Sequence, residues 1–244
     1  MRQSDLAPRA ITVLLLLIAP SVLAEQPSII DSDSRGRILV EIVEEGIPET
    51  PTWPEMLRDA SERYEAEAFG LFRLPHRYVD TGVRADRVNP FVLRAVADVT
   101  LPPGEHRWLL RARGATRLTV EGSLVLSTPF PPPITDGHTP IPNDFLDLGP
   151  DFRFAPPGNR EEWTTIKSEG GTHRVVLETI VGGFRGSDPL RPEPGETVVA
   201  WSPEGTDSFL VLSPDPDCVI PYTDPGWAAY VDREEARLCR IEAD

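Results

Sequence analysis

One stretch constrains the fold more than any other. Residues 91–130 read FVLRAVADVTLPPGEHRWLLRARGATRLTVEGSLVLSTPF. Four apolar runs rich in Val, Leu, Phe and Trp are separated by Pro102-Pro103-Gly104, Gly114 and Glu121-Gly122. Runs of this length between Gly and Pro signals predict antiparallel strands. Glu121-Gly122 imitates the Asp-Gly hairpin turn, in which glycine supplies the positive φ. Within the second run Trp108, Leu110 and Ala112 fall on one face. Arg107, Leu109, Arg111 and Arg113 fall on the other, which reads as a strand with one buried face and one solvated face. Arg111, Arg113 and Arg117 are expected on that solvated face beside local acidic partners.

Further strands are expected on both sides. Arg37 to Glu44 predicts a first strand ended by Glu45-Gly46. Trp163–Ser168 and His173–Val181 predict a pair joined at Glu169-Gly170-Gly171, and Thr197–Trp201 with Ser208–Leu212 a last hairpin turned at Pro203 to Gly205. Strands recurring every 8–12 residues or so favour an all-β antiparallel sandwich or jelly-roll-like fold over a helical or doubly wound one. No repeat of about 20–50 residues is visible. Two minor helices are expected. Thr52-x-x-Glu55 forms a capping-box signature, and Leu57, Ala60, Tyr64 and Ala68 follow at helical spacing, predicting a short amphipathic helix over about Trp53–Phe69. Trp227 to Glu242 predicts a C-terminal helix.

The N-terminus carries a basic region with Arg2 and Arg9, an apolar run from Ile11 to Ala19, and Ser21-Val22-Leu23-Ala24 before Glu25. This pattern predicts a secretory signal peptide over 1–24. The run is shorter than the ~20 apolar residues that span a bilayer. The rest divides into a lead-in at 25–36, a β-sandwich domain at 37–213 and a Pro/Asp-rich linker with helix at 214–244. Export places the chain in the periplasm or at the cell surface, with no membrane contact after cleavage. Formal net charge is −15, and removing Arg2, Asp5 and Arg9 makes it −16. So acidic a chain repels phosphate backbones, so nucleic acid is not expected as a partner.

Cys218 and Cys239 are the only cysteines. In an oxidising compartment they could pair, closing a loop of about 20 residues worth roughly 3 kcal/mol. Their spacing fits no zinc pattern, and Cys-x-x-Cys-His is absent. The four histidines form no His-Glu-x-x-His pair, and neither Gly-x-Ser-x-Gly nor a phosphate-binding glycine loop occurs. His106 and His173 each open a strand after a turn and read as satisfied strand-edge residues. The longest excursion is Thr128–Asn159, rich in proline, with Asp136, His138, Asp144 and Asp147 among its polar residues. Long loops in compact domains carry function disproportionately, and oxygen-rich ones can hold calcium or, with aromatics, sugars. These four residues are the candidate ligand-binding set. No catalytic residue is assigned.

The meander resembles the lectin-like domain family named after anthrax protective antigen. That family has a Phe-x-Val-Arg strand, a Pro/Ala-Gly-Glu-Tyr turn, then Arg-Leu-x-Val-Asp-Gly-x-Leu-Val. The counterparts are Phe91-Val92-Leu93-Arg94, Pro103-Gly104-Glu105-His106, and Arg117-Leu118-Thr119-Val120-Glu121-Gly122-Ser123-Leu124-Val125. Gly171-Thr172-His173-Arg174-Val175 is similar to a strand near that domain's end. The layout also resembles the N-terminal part of large exported planctomycete-type proteins with cytochrome-like domains. The resemblance implies a β-sandwich used in export, adhesion and glycan binding, often attached to enzymes. In its sugar-binding members adjacent aspartates before the Arg-Leu strand ligate calcium. Ala112-Arg113-Gly114-Ala115 stand at that place, so the aspartate pair for calcium is missing and no cofactor is expected there. The function expected is a secreted, non-catalytic module binding a glycan or a cell-envelope protein. The alternatives are a structural accessory domain of a larger exported enzyme or electron-transfer protein, and a hydrolase.

Overall fold

A computed structural model describes residues 12–13, 36–130 except 79 and 86, 152–182 except 155 and 157, and 194–242. Its centre is a pair of 22-residue strands, β7 (Phe91–Ala112) and β10 (Arg160–Val181). They pair antiparallel along their whole length, from Val181 opposite Phe91 to Arg160 opposite Ala112. Both fold over midway, so each serves first one layer and then the other. Pro102-Pro103-Gly104 and Glu169-Gly170-Gly171, expected as turns between separate strands, are this shared corner. Glu169 pairs with Pro103 and Gly171 with Leu101, so the register runs through the corner without a slip. Gly104, Gly170 and Gly171 have φ of 135°, 88° and 103°, which glycine alone adopts without strain. The glycines, together with the prolines, which lack ladder donors, bend the ribbon instead of ending it. Across the corner the inward set shifts parity, from Phe91, Leu93, Ala95, Ala97, Val99 and Leu101 to Trp108 and Leu110.

Layer one runs β3 (Glu62–Ala66), β2 (Ile38–Val43), the first half of β7, the second half of β10, β8 (Thr116–Val120), β9 (Ser123–Thr128). Layer two has β11 (Thr197–Ser202) beside the second half of β7. The short β4 (Gly70–Leu71) and β12 (Leu210–Val211) sit on its far side. A two-residue strand β1 (Thr12–Val13) pairs parallel with Thr165 and Ile166 of β10, and β5 (Arg77–Tyr78) and β6 (Arg84–Ala85) form a separate small hairpin. This is the antiparallel sandwich expected. Its core packs Ile38, Val40 and Ile42 with Leu118, Val120, Val175 and Leu177 of layer one, against Trp108, Leu110, Ile166 and Val199 of layer two. The β8–β9 turn is the tight hairpin that Glu121-Gly122 predicts, with φ of 50° and 74°.

Each layer is also covered outside, which the alternation pattern did not indicate. On layer two, helix α1 (Asp224–Ile241) presses Trp227 and Tyr230 onto Leu109, Val198 and Ala200. Thr223 caps it through Gly226 N–H at 3.2 Å, and Pro225 occupies its first turn. Tyr230 Oη donates to the Gly70 carbonyl at 2.9 Å. A side chain on Gly70 would lie 2.8 Å from that ring, so glycine permits the close docking. On layer one, Ile47, Trp53, Leu57, Ala60 and Phe130 cover Val43, Val92 and Ile180.

The helix expected over Trp53–Phe69 is absent. Residues 53–60 are irregular cover for layer one, and Glu62–Ala66 is strand β3. Tyr64, Ala66 and Ala68 are buried while Arg63 and Glu65 are exposed, a period of two. Tyr64 and Ala68 also fit helical spacing, so the two periods coincide here. Pairing along the edge of β2, from Ile38 opposite Ala66 to Ile42 opposite Glu62, favours the strand. Both cysteines are free thiols, Cys239 exposed and Cys218 half-buried.

Candidate functional site

Because β7 and β10 double back, their four ends meet at the end of the sandwich opposite the corner. Ala115 and Ile180 join there, Ile180 N–H donating to Ala115 C=O at 2.9 Å. A side chain on Gly114 would sit 2.3 Å from Ile180 C=O. Thr116 Oγ1 donates to Thr179 Oγ1 at 2.8 Å, and Thr128 Oγ1 to Gly114 C=O at 2.8 Å. These bonds bring the β7–β8 turn and the end of β9 to the same place. Segments 131–151 and 183–193 therefore leave from this end and return to it.

A buried polar network holds the return points. Arg111 and Glu161 face each other on β7 and β10 at 2.6 Å, each side chain 1 % exposed. Arg111 also donates to the Arg153 carbonyl, and its guanidinium lies 4.5 Å from the Phe152 ring centroid and 5.3 Å from that of Tyr222. Tyr222 Oη donates to Glu196 Oε1 at 2.8 Å. Arg153 grips the same carboxylate with Nε at 2.9 Å and Nη2 at 2.6 Å, and reaches Asp224 on α1 at 2.8 Å. Asn159 Nδ2 donates to Glu196 C=O at 2.7 Å. Burial, with Glu196 alongside, pushes the Tyr222 hydroxyl far above its ordinary range, so it stays a donor. Burial works against the Arg153 charge, but Glu196 outweighs it and holds the guanidinium more firmly protonated. Paired cations and carboxylates of this kind anchor the chain. Beside the network, Phe154 is 71 % and Trp163 36 % exposed. Such surfaces suit stacking against a flat apolar face.

The candidate ligand residues Asp136, His138, Asp144 and Asp147 lie outside the described residues, although both roots of their segment are at this end. Arg111, expected on a solvated face, is instead buried between Glu161 and two rings because α1 and residues 152–154 cover that side of β7. The acidic partners expected for it and for Arg117 are present, Arg117 meeting Glu178 at 2.6 Å and stacking 4.0 Å from Trp53. His106 is a buried corner residue, Nε2 2.9 Å from Pro102 C=O and Nδ1 accepting from Glu204 N–H at 3.3 Å. His76 lies 3.2 Å from Glu242. Among the described residues no three His, Cys, Asp or Glu side chains gather closely enough to hold a metal. Arg153, Asn159, Glu196, Tyr222 and Asp224 were not singled out by the sequence. The available signal was Arg111 itself, a charge embedded in Trp-Leu-Leu-Arg-Ala.

No protein-family model matches the chain, and no curated protein is similar to it in sequence. Some solved structures share part of its outline. The PA14 domain of the antifreeze protein MpAFP is 13% identical over 78% of this chain and 94% of that one, with a TM-score of 0.46. The PA14 sugar-binding domain from an RTX adhesin is 10% identical over 73% and 96%, at 0.43. β-Glucosidase from Kluyveromyces marxianus in complex with glucose is 10% identical over 70% of this chain, at 0.41, and the chain spans only 16% of that enzyme. At scores this low none of them decides fold or function, and the sandwich rests on the strand register above. No described helix is long and apolar enough to cross a membrane.

Proposed function

We propose that the chain is a secreted β-sandwich module whose loop end binds, without catalysis, a glycan or a cell-envelope protein. One observation carries this reading. The described residues that flank segments 131–151 and 183–193 are held at one end of the sandwich by the network of Arg111, Glu161, Arg153 and Glu196. Binding residues are commonly borne on loops positioned in this way. The longer segment carries Asp136, His138, Asp144 and Asp147, and the exposed Phe154 follows its return. The leader supports export to the periplasm or cell surface, and the net charge of −15 disfavours nucleic acid and anionic lipid.

A glycan array and a pull-down from envelope fractions, both with the processed full chain, test the reading. Selective binding is expected, weakened at least about tenfold by combined Asp136→Asn, Asp144→Asn and Asp147→Asn or by Phe154→Ala, without a change in melting temperature. Absence of binding to every glycan and every envelope fraction would refute it and favour a structural accessory domain.

A further inference from the structure

The corner end, far from the loop end, holds a second group of reactive side chains. The Glu169–Gly171 bend brings Ser168 and His173 together on β10, with His173 Nε2 3.3 Å from Ser168 Oγ. His173 Nδ1 lies 3.8 Å from Glu121 Oε1 on the β8–β9 turn. That carboxylate is fixed by Arg174 N–H at 2.7 Å. Gly170 N–H donates to Ser168 Oγ at 2.9 Å. A hydroxyl oxygen accepting from an amide turns its own proton elsewhere, and His173 Nε2 is the acceptor beside it. Where Nε2 is that acceptor, the imidazole proton is on Nδ1, on the Glu121 side but beyond hydrogen-bond reach of it. Nucleophile, base and orienting acid thus use the nitrogens that acyl transfer requires, and such contacts are commonly long before substrate binds.

We propose that Ser168, His173 and Glu121 hydrolyse a small O-acyl ester through a Ser168 acyl intermediate. This activity goes beyond the binding role of the loop end and does not depend on it. His173 Nε2 takes the Ser168 proton as Oγ bonds to the carbonyl carbon. The displaced π pair goes to the carbonyl oxygen, while Gly170 N–H stays engaged with Ser168 Oγ. The bond to the alcohol oxygen breaks, and the leaving oxygen takes the proton from Nε2. Water then attacks the acyl-serine with His173 again as base, releasing the carboxylic acid and restoring the hydroxyl. One ester and one water give one acid and one alcohol, with no change of oxidation state. Ser168 is 4 % exposed, and the side chains of His173 and Glu121 are 22 % and 50 % exposed. A nucleophile this buried favours a small acyl group, and acetyl is the one tested.

The test uses the full chain with p-nitrophenyl acetate and, separately, a small fluorophosphonate read by peptide mass spectrometry. Expected are a burst of nitrophenol stoichiometric with protein, and a covalent adduct on Ser168. Ser168→Ala abolishes both. His173→Ala lowers turnover about 10²-fold or more, and added imidazole, entering the space left by the ring, restores part of it, which a merely structural role would not allow. Should Ser168→Ala fail to fold, the adduct on the unaltered chain decides. A folded chain that forms no adduct at Ser168, or a Ser168→Ala chain that hydrolyses the acetate at the unaltered rate, overturns the proposal. Neither result bears on glycan binding at the other end.

Discussion

Replacing Arg111 by leucine removes one charge from the least solvated ion pair at the loop end. Glu161 would be left with its side chain 1 % exposed and without its guanidinium partner. Removing one member of a buried pair typically costs about 3–5 kcal/mol, because the remaining charge stays desolvated. Arg111 also holds the Arg153 carbonyl and fills the space between Phe152 and Tyr222, which puts the expected cost in the upper part of that range. For a chain of this size 1 kcal/mol moves the melting temperature by about 2–4 °C, so a drop on the order of 10 °C or more is expected. Urea denaturation at neutral pH gives the free energy directly. The companion double variant, Arg111→Leu with Glu161→Met, removes both charges and keeps most of the volume. It is expected to recover at least about half of the loss, since paired removal of a buried ion pair is often close to neutral. Arg111→Lys should fall between, keeping charge but losing the planar fork. If the double variant is as unstable as the single one, the stranded carboxylate is not the source of the loss. The network would then matter for packing rather than charge.

Three further outcomes follow from other parts of the molecule. Burial tends to raise the Glu44 carboxyl, but the Val88 N–H, the Ser61 hydroxyl and Arg77 outweigh it and hold it below its ordinary range. A carboxyl lowered on folding stabilises above its unfolded range, and that stability is lost as pH falls through the folded value. Glu44→Gln should therefore cost about 1–3 kcal/mol at neutral pH, and the difference from the unaltered chain should vanish in acid, read by urea titration across pH. Gly114→Ala drives a methyl to within 2.3 Å of the Ile180 carbonyl, a backbone atom, and should cost about 1–3 kcal/mol with a matching fall in melting temperature. Burial pushes the Cys218 thiol up, while Cys239 is exposed, so Ellman's reagent at mild alkaline pH should modify Cys239 first and Cys218 more slowly.

Strands whose inner face alternates cleanly were legible in the sequence. Ile38–Val43, Thr116–Val120 and Thr197–Ser202 lie within a residue or two of where their patterns place them, and Glu121-Gly122 makes the hairpin its chemistry suggests. Two features were legible only in part, for a physical reason. Proline with glycine marks a change of direction, but sequence does not say whether the ladder stops or bends. At Pro102–Gly104 the partner glycines lie almost 70 residues on, and only the pairing of Glu169 with Pro103 shows that the ribbon continues. Around Tyr64 and Ala68 helix and strand periods coincide, and pairing along the edge of β2 decides between them. The loop-end network was hidden because its members come from β7, β10, residues 153 and 196, and the start of α1. Arg111 looked like one of a row of surface arginines until α1 and Phe152 covered it.

The two ends of the sandwich are held by different forces. At the corner the layers share the same two strands, so their hydrogen bonds run through the bend and neither layer can shear freely against the other. His106, with both ring nitrogens engaged and its ring 5.3 Å edge-on from Trp201, packs the inside of that bend. At the loop end, cohesion passes increasingly through charge, from a fully buried pair at Arg111–Glu161 to Arg153–Asp224, where the carboxylate is 73 % exposed. Salt screens the outer pair strongly and the inner one little. Rising ionic strength should therefore loosen the attachment of residue 153 to α1 while leaving Arg111 in place and the corner unchanged. A surface whose roots relax outward from a fixed interior can adapt to a ligand without loss of the core beneath it, which makes the loop end, and not the corner, the suitable place for recognition of an extended partner.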